Sequence, residues 1–103
     1  MPKDYKVKYT PTSKSDLISI IEYISDDNID AAYDMADKID IAIQSLSEFP
    51  YKGSIPNDSQ LRLRGFKLLV VSPYIIFYKP DKNSETISII RILSSRQDYL
   101  ELL

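Results

Sequence analysis

The chain reads as an α+β domain: an N-terminal strand, an antiparallel helical hairpin packed on an antiparallel sheet of about four strands, and a short C-terminal helical turn. Three observations predict this. Apolar residues recur at helical spacing between Leu17 and Leu46, strand-like runs separated by turn signals fill Leu61 to Leu93, and the two kinds of pattern do not interleave. With 103 residues, two glycines and no internal repeat, residues 1–103 are expected to form one domain around one core.

Tyr5-Lys6-Val7-Lys8-Tyr9 alternates apolar and charged residues, as a half-buried strand does, and Thr10-Pro11-Thr12 ends it. The first helix is expected to start at a cap supplied by Thr12 or Ser13, with Asp16 three residues after Ser13 in a box-like arrangement. Leu17, Ile20, Ile21 and Ile24 give it an apolar stripe. Asp26-Asp27-Asn28 breaks it. A second helix begins near Asp30, whose charge suits a helix amino end, and carries Ala32, Met35, Ala36, Ile39, Ala42, Ile43 and Leu46 before Pro50. The short link makes the pair antiparallel, and both stripes are core against a sheet.

Residues 49–58 are a loop by their Pro, Gly, Asn and Asp content. Leu61 to Val71 is predicted as a strand carrying Arg62 and Arg64, with Gly65 bending or bulging it. Ser72-Pro73 turns the chain into the strand Tyr74 to Lys79, and Pro80-Asp81-Lys82-Asn83-Ser84 makes a hairpin to Glu85–Leu93. Asp98 to Leu103 is expected as a last helical turn or a tail whose leucines seek cover.

Composition excludes several chemistries. Without cysteine or histidine the chain has no disulfide, thiol nucleophile, thiolate metal site or imidazole base. The aspartates between Asp26 and Asp40 match no calcium loop and are read as caps and a solvated face. Gly53 and Gly65 belong to no phosphate-binding pattern, so no cofactor and no metal are expected. No apolar run approaches the roughly 18 residues that span a bilayer, so a cytoplasmic protein without membrane contact is the expectation. Charge is divided: residues 1–50 hold five lysines against ten acids, whereas residues 51–103 hold eight bases, including all four arginines, against five acids. Acidic helices facing away from a basic sheet would give a cationic side despite a net charge of −2.

The junction where the last strand runs into Ser94-Ser95-Arg96-Gln97-Asp98-Tyr99 places Arg91, Arg96 and Tyr99 at a rigid strand exit. Guanidinium groups there suit an anionic or planar target. The candidate target-binding residues are Arg62, Arg64, Lys67, Arg91, Arg96 and Tyr99, a basic surface on or beside the sheet. Tyr51 and Tyr99 are the tyrosines best placed to be exposed, while Tyr5, Tyr9, Tyr74 and Tyr78 are expected to pack.

Phe49-Pro50 closing a helical hairpin, the segment Leu61-Arg62-Leu63-Arg64-Gly65-Phe66-Lys67-Leu68-Leu69-Val70-Val71, then Tyr74-Ile75-Ile76-Phe77-Tyr78-Lys79, and finally Ile90-Arg91-Ile92-Leu93 with Arg96 and Asp98 resemble the RelE/ParE toxins of bacterial type II toxin-antitoxin modules. The likeness covers nearly the whole chain and implies a growth-arresting, plasmid-stabilising toxin with a cognate antitoxin, acidic or amphipathic where it folds across the basic surface. Its RelE-like branch implies ribosome-dependent cleavage of mRNA, for which Arg64, Arg91, Arg96 and Tyr99 are the catalytic candidates. Its ParE-like branch implies binding and poisoning of DNA gyrase without hydrolysis. Ile75 stands where RelE-like enzymes tend to carry arginine, and Ser94 where many relatives carry histidine. The Gly-Phe-Lys strand, Tyr-Ile-Ile-Phe-Tyr and the Arg-Ile-Leu-x-x-Arg-x-Asp ending resemble the ParE-like branch more, so the resemblance implies a gyrase inhibitor. The alternatives are a RelE-like endoribonuclease that engages ribosome and mRNA, and a non-toxic interaction module.

Overall fold

A computed structural model describes residues 4–103. Strand β1 (Lys6–Tyr9) leads into α1 (Pro11–Ser25) and α2 (Ile29–Gln44), which closes in a 3₁₀ turn, Ser45–Ser47. A loop then reaches α3 (Ser59–Leu63), followed by β2 (Lys67–Val71), β3 (Tyr74–Asp81), β4 (Thr86–Ser94) and α4 (Tyr99–Leu102). The sheet order is β1-β4-β3-β2. β2, β3 and β4 pair antiparallel as expected, and β1 adds to β4 in parallel, Lys6 opposite Thr86 and Tyr9 opposite Ile89. The direction follows from the connections: the helical hairpin returns the chain so that β2 starts at the same end as β1, and the two reversals through β3 leave β4 parallel to both.

The start of α1 differs from expectation. Thr10, not Thr12 or Ser13, is the cap: its hydroxyl accepts the Ser13 N–H at 3.1 Å and donates to the Ile89 carbonyl at 2.7 Å. Pro11 opens the helix, where its fixed φ is already helical and its missing N–H costs nothing. Asp16 is thereby released from capping. Asn28 caps α2 by accepting the Ala31 N–H at 3.0 Å.

The segment predicted as one strand from Leu61 to Val71 is split. Asp58 caps α3 through the Leu61 N–H at 3.0 Å, and Gly65 ends the helix at φ +84°. The N–H of Phe66 reaches the Leu61 carbonyl and that of Gly65 the Arg62 carbonyl, both at 3.0 Å, which is the Schellman pattern. Leu61 and Phe66 pack together beneath it. Alternation of leucine and arginine over so few residues fits one helical turn as well as a strand, and the capping signals at both ends decide for the helix.

The sheet is covered on both faces. On one side Ile20, Ile39 and Ile43 of the hairpin meet Tyr74, Ile76, Tyr78, Ile87, Ile89 and Ile92. On the other, Leu61, Phe66, Phe77 and Leu93 form a smaller cluster with Tyr99 and Leu103 packed on it. β4 contributes to the first cluster at positions 89 and 92, three apart. A bulge permits this: Phe77 pairs with Arg91 and Tyr78 with Ile89, leaving Ile90 as the extra residue.

Candidate functional site

β1 ends opposite Ile89, so the outer edge of β4 beyond it would have unpaired main-chain groups. Asp16, one and a half turns into α1, fills this gap. Its carboxylate accepts the Ile92 N–H at 3.0 Å and is gripped by Arg91 through Nε at 2.8 Å and Nη2 at 2.9 Å. Both side chains are largely shielded, at 20% and 13% exposure. Donating to the Asp16 carboxylate raises the Arg91 pKa above its ordinary value, against a smaller opposing effect of burial. The remaining Nη1 of Arg91 donates to the Leu102 carbonyl at 3.1 Å.

Arg64, at the end of α3, donates to the main-chain oxygen of Leu103 at 3.1 Å. Two guanidinium groups from different elements thus hold the C-terminal turn against the sheet. Beneath them, Tyr99 lies 5.1 Å from the Phe77 ring. The Arg64 guanidinium and the Lys79 ammonium both stand over Phe66, at 5.0 and 4.5 Å from its centroid. Lys79 was not among the residues the sequence singled out, although period-two alternation from Phe77 places it on the same face.

Of the six expected target-binding residues, Arg64, Arg91 and Tyr99 converge on this C-terminal turn. Arg96 joins Arg91 in a groove between α1 and the exit of β4. Its turn is braced by the Ser94 N–H on Gln97 Oε1 at 2.8 Å and the Ser95 N–H on the Pro73 carbonyl at 2.9 Å. Among the described residues its guanidinium has no hydrogen-bond or ion-pair partner. Arg62 lies apart, bound to the carbonyl of Asn57 at 2.8 Å. Lys67 stands opposite Tyr78 and so occupies the hairpin side of the sheet, away from the face that Arg64 and Lys79 share. Tyr99 is half-buried and Tyr51 is exposed beside Tyr5.

Four tyrosines have displaced ionisation, and all move upward. A hydrogen bond with Tyr51 raises Tyr5, while burial raises Tyr9, Tyr74 and Tyr78, with Asp40 adding to the effect on Tyr9. These phenols are poorer proton donors at neutral pH than free tyrosine. The arrangement offers fixed positive charge and hydrogen-bond donors.

A family model described as the ParE toxin of type II toxin-antitoxin system, parDE, matches residues 7–99, and the chain belongs to that family of toxins. Among solved structures, the chromosomal ParDE toxin-antitoxin system from P. aeruginosa matches with 18% identity and a TM-score of 0.70, covering 87% of this chain and 95% of that one. The RelBE2 toxin-antitoxin complex from Mycobacterium tuberculosis matches with 23% identity and a TM-score of 0.59, covering 88% and 98%. At these identities the likeness is one of fold. No curated protein matches the chain.

Proposed function

We propose that this toxin arrests growth by binding DNA gyrase through its cationic surface, is neutralised by a cognate antitoxin, and acts in the cytoplasm as a plasmid-stabilising module. The observation that carries the reading is the match of a ParE toxin model to residues 7–99. Site chemistry supports it: Arg91 spends its donors on Asp16 and the Leu102 carbonyl, and burial moves Tyr74, the shifted phenol that lines the groove, away from neutral pH. A ribonuclease needs a group that takes and returns a proton, whereas an inhibitor needs only a shaped, charged surface. The contact residues proposed are Arg96, Arg64 and Tyr99; Arg91, committed to Asp16 and the Leu102 carbonyl, holds the C-terminal turn in place, and Arg62 and Lys67 lie off this surface.

Purified protein is expected to inhibit gyrase supercoiling and to leave ribosome-bound message uncut. Site-specific message cleavage with unchanged gyrase activity would reverse the assignment to the ribonuclease alternative. Absence of growth arrest on expression would reduce the chain to an interaction module. Arg96→Ala is the cleaner surface probe, since Arg91→Ala also removes the partner of Asp16. Loss of inhibition by about tenfold is expected for Arg96→Ala, the usual weight of a charged contact.

A further inference from the structure

Among the described residues Leu63 is the large apolar side chain most open to solvent, at 83%, and Arg64 beside it is exposed as well. Both sit at the end of α3, which is capped at its two ends. Arg64 meets no carboxylate side chain among the described residues, and its bond from Nη2 to the Leu103 oxygen leaves the other guanidinium donors free. On the opposite side of the sheet, α1 and α2 form a groove of about 480 Å³ lined by Leu17, Ile18 and Ala36, with Asp37 and Asp40 exposed beside them. The Tyr9 hydroxyl donates to Asp40 at 2.7 Å, which fixes that carboxylate and leaves its charge in place. Two carboxylates against the one ammonium of Lys14 make the groove net negative.

We infer that this groove receives the Leu63-Arg64 corner of a second copy of the chain, Leu63 seating against Ile18 and Ala36 and Arg64 forking onto Asp37. Complementarity selects the occupant: an exposed leucine beside an unpaired guanidinium matches an apolar groove beside unpaired carboxylates, and covering Leu63 removes apolar surface from water. The sheet lies between the corner and the groove of one molecule, so the contact forms only between copies. It is head-to-tail. Each contact leaves one groove and one corner free at the two ends, so association continues past two copies and has no two-fold axis. A hairpin-to-hairpin contact would instead set Asp37 and Asp40 of one copy against those of the other, which repel. In a row built this way Arg64 is covered in every copy but the last.

Sedimentation velocity of the full chain over a range of concentrations tests this, at low and at high salt. Wild type is expected to associate beyond the dimer as concentration rises, and salt should weaken the association. Asp37→Arg spoils the groove and Leu63→Ser the corner, and each should lower the association constant about tenfold or more. The two substitutions are at exposed positions, and circular dichroism checks that the fold is kept. Mixing the two variants is the decisive measurement. The intact corner of Asp37→Arg fits the intact groove of Leu63→Ser, while the reverse pairing lacks the anchor and sets Arg64 against the new arginine. The mixture should therefore give a one-to-one dimer and nothing larger. A wild type that stays monomeric, association that stops at a dimer, association unchanged in either variant, or a mixture without a one-to-one complex would each overturn the proposal. The readout contains neither gyrase nor antitoxin, so its outcome is separate from that of the supercoiling assay.

Discussion

Asp16 joins three structural levels through one carboxylate. It terminates the open edge of β4, neutralises Arg91 and ties α1 to the sheet. Removing it leaves a shielded guanidinium unpaired and a main-chain N–H unsatisfied, which together cost about 3 kcal/mol. Asp16→Ala is therefore expected to lower the melting temperature by roughly 15 °C, the usual conversion for a domain of this size. Asp16→Asn keeps an acceptor for the Ile92 N–H and should lose less. Thermal melts of the two variants check the order, and equal melting temperatures for Asp16→Ala and wild type would refute the role. Gly53 is a second position where one atom decides. A Cβ there would overlap the Tyr78 hydroxyl and the Leu68 carbonyl, while its N–H donates to that hydroxyl at 3.0 Å. Gly53→Ala is expected to unfold or strongly destabilise the chain, read as a shift of the urea midpoint.

At the scale of elements, α3 is a five-residue helix that exists because both ends are capped. So short a helix cannot support itself by propensity, and its stability comes from Asp58, Gly65 and the contact of Leu61 with Phe66. Asp58→Ala should cost about 1 kcal/mol. Gly65→Ala meets no neighbour within 4 Å, so its cost is conformational alone, about 1–2 kcal/mol for a left-handed residue with a Cβ. Asn at the same position should recover part of that loss. Urea denaturation of the three variants measures these differences, and a neutral Gly65→Ala would show that the Schellman turn is not needed. The same caps explain why the segment reads ambiguously from the sequence. Leu61, Arg62, Leu63 and Arg64 satisfy a strand pattern, and only the positive φ at Gly65 and the acceptor at Asp58 separate the two outcomes.

For the molecule as a whole, stability should fall on the alkaline side. Tyr9, Tyr74 and Tyr78 have pKa values raised by burial in the folded state, whereas in the unfolded chain they titrate near 10, the ordinary value. Above that pH the unfolded state has released protons that the folded state retains, so each further rise favours unfolding until the folded values are passed. Their contribution is complete below pH about 10 and is lost above it. Urea midpoints at neutral and strongly alkaline pH are expected to show this decline, and Tyr9→Phe, which cannot titrate, should make it shallower. An unchanged slope would place the alkaline sensitivity elsewhere. Charge asymmetry acts at the same scale: the acidic aspartates of α2 and the four arginines lie in different halves of the chain. Gyrase inhibition should accordingly weaken as salt screens the basic surface.

The elements were legible where period and punctuation agree. The apolar stripes of α1 and α2, the hairpin turn after Pro80 and the C-terminal turn all follow from local pattern, because a helix or strand must place its apolar side chains at its own repeat. The class of toxin was legible too, since the order of motifs spans nearly the whole chain. What local pattern does not contain is which distant groups meet. Asp16 fitted a capping box equally well, and its 75-residue reach to Arg91 exists only once α1 lies along the end of β4. Tertiary structure likewise decided that β1 pairs in parallel, that Lys67 and Lys79 stand on opposite faces, and that Arg62 turns away from the other arginines. Residue type and spacing fix the elements and their buried sides, whereas the partners of a charged group depend on which elements packing brings within hydrogen-bonding distance.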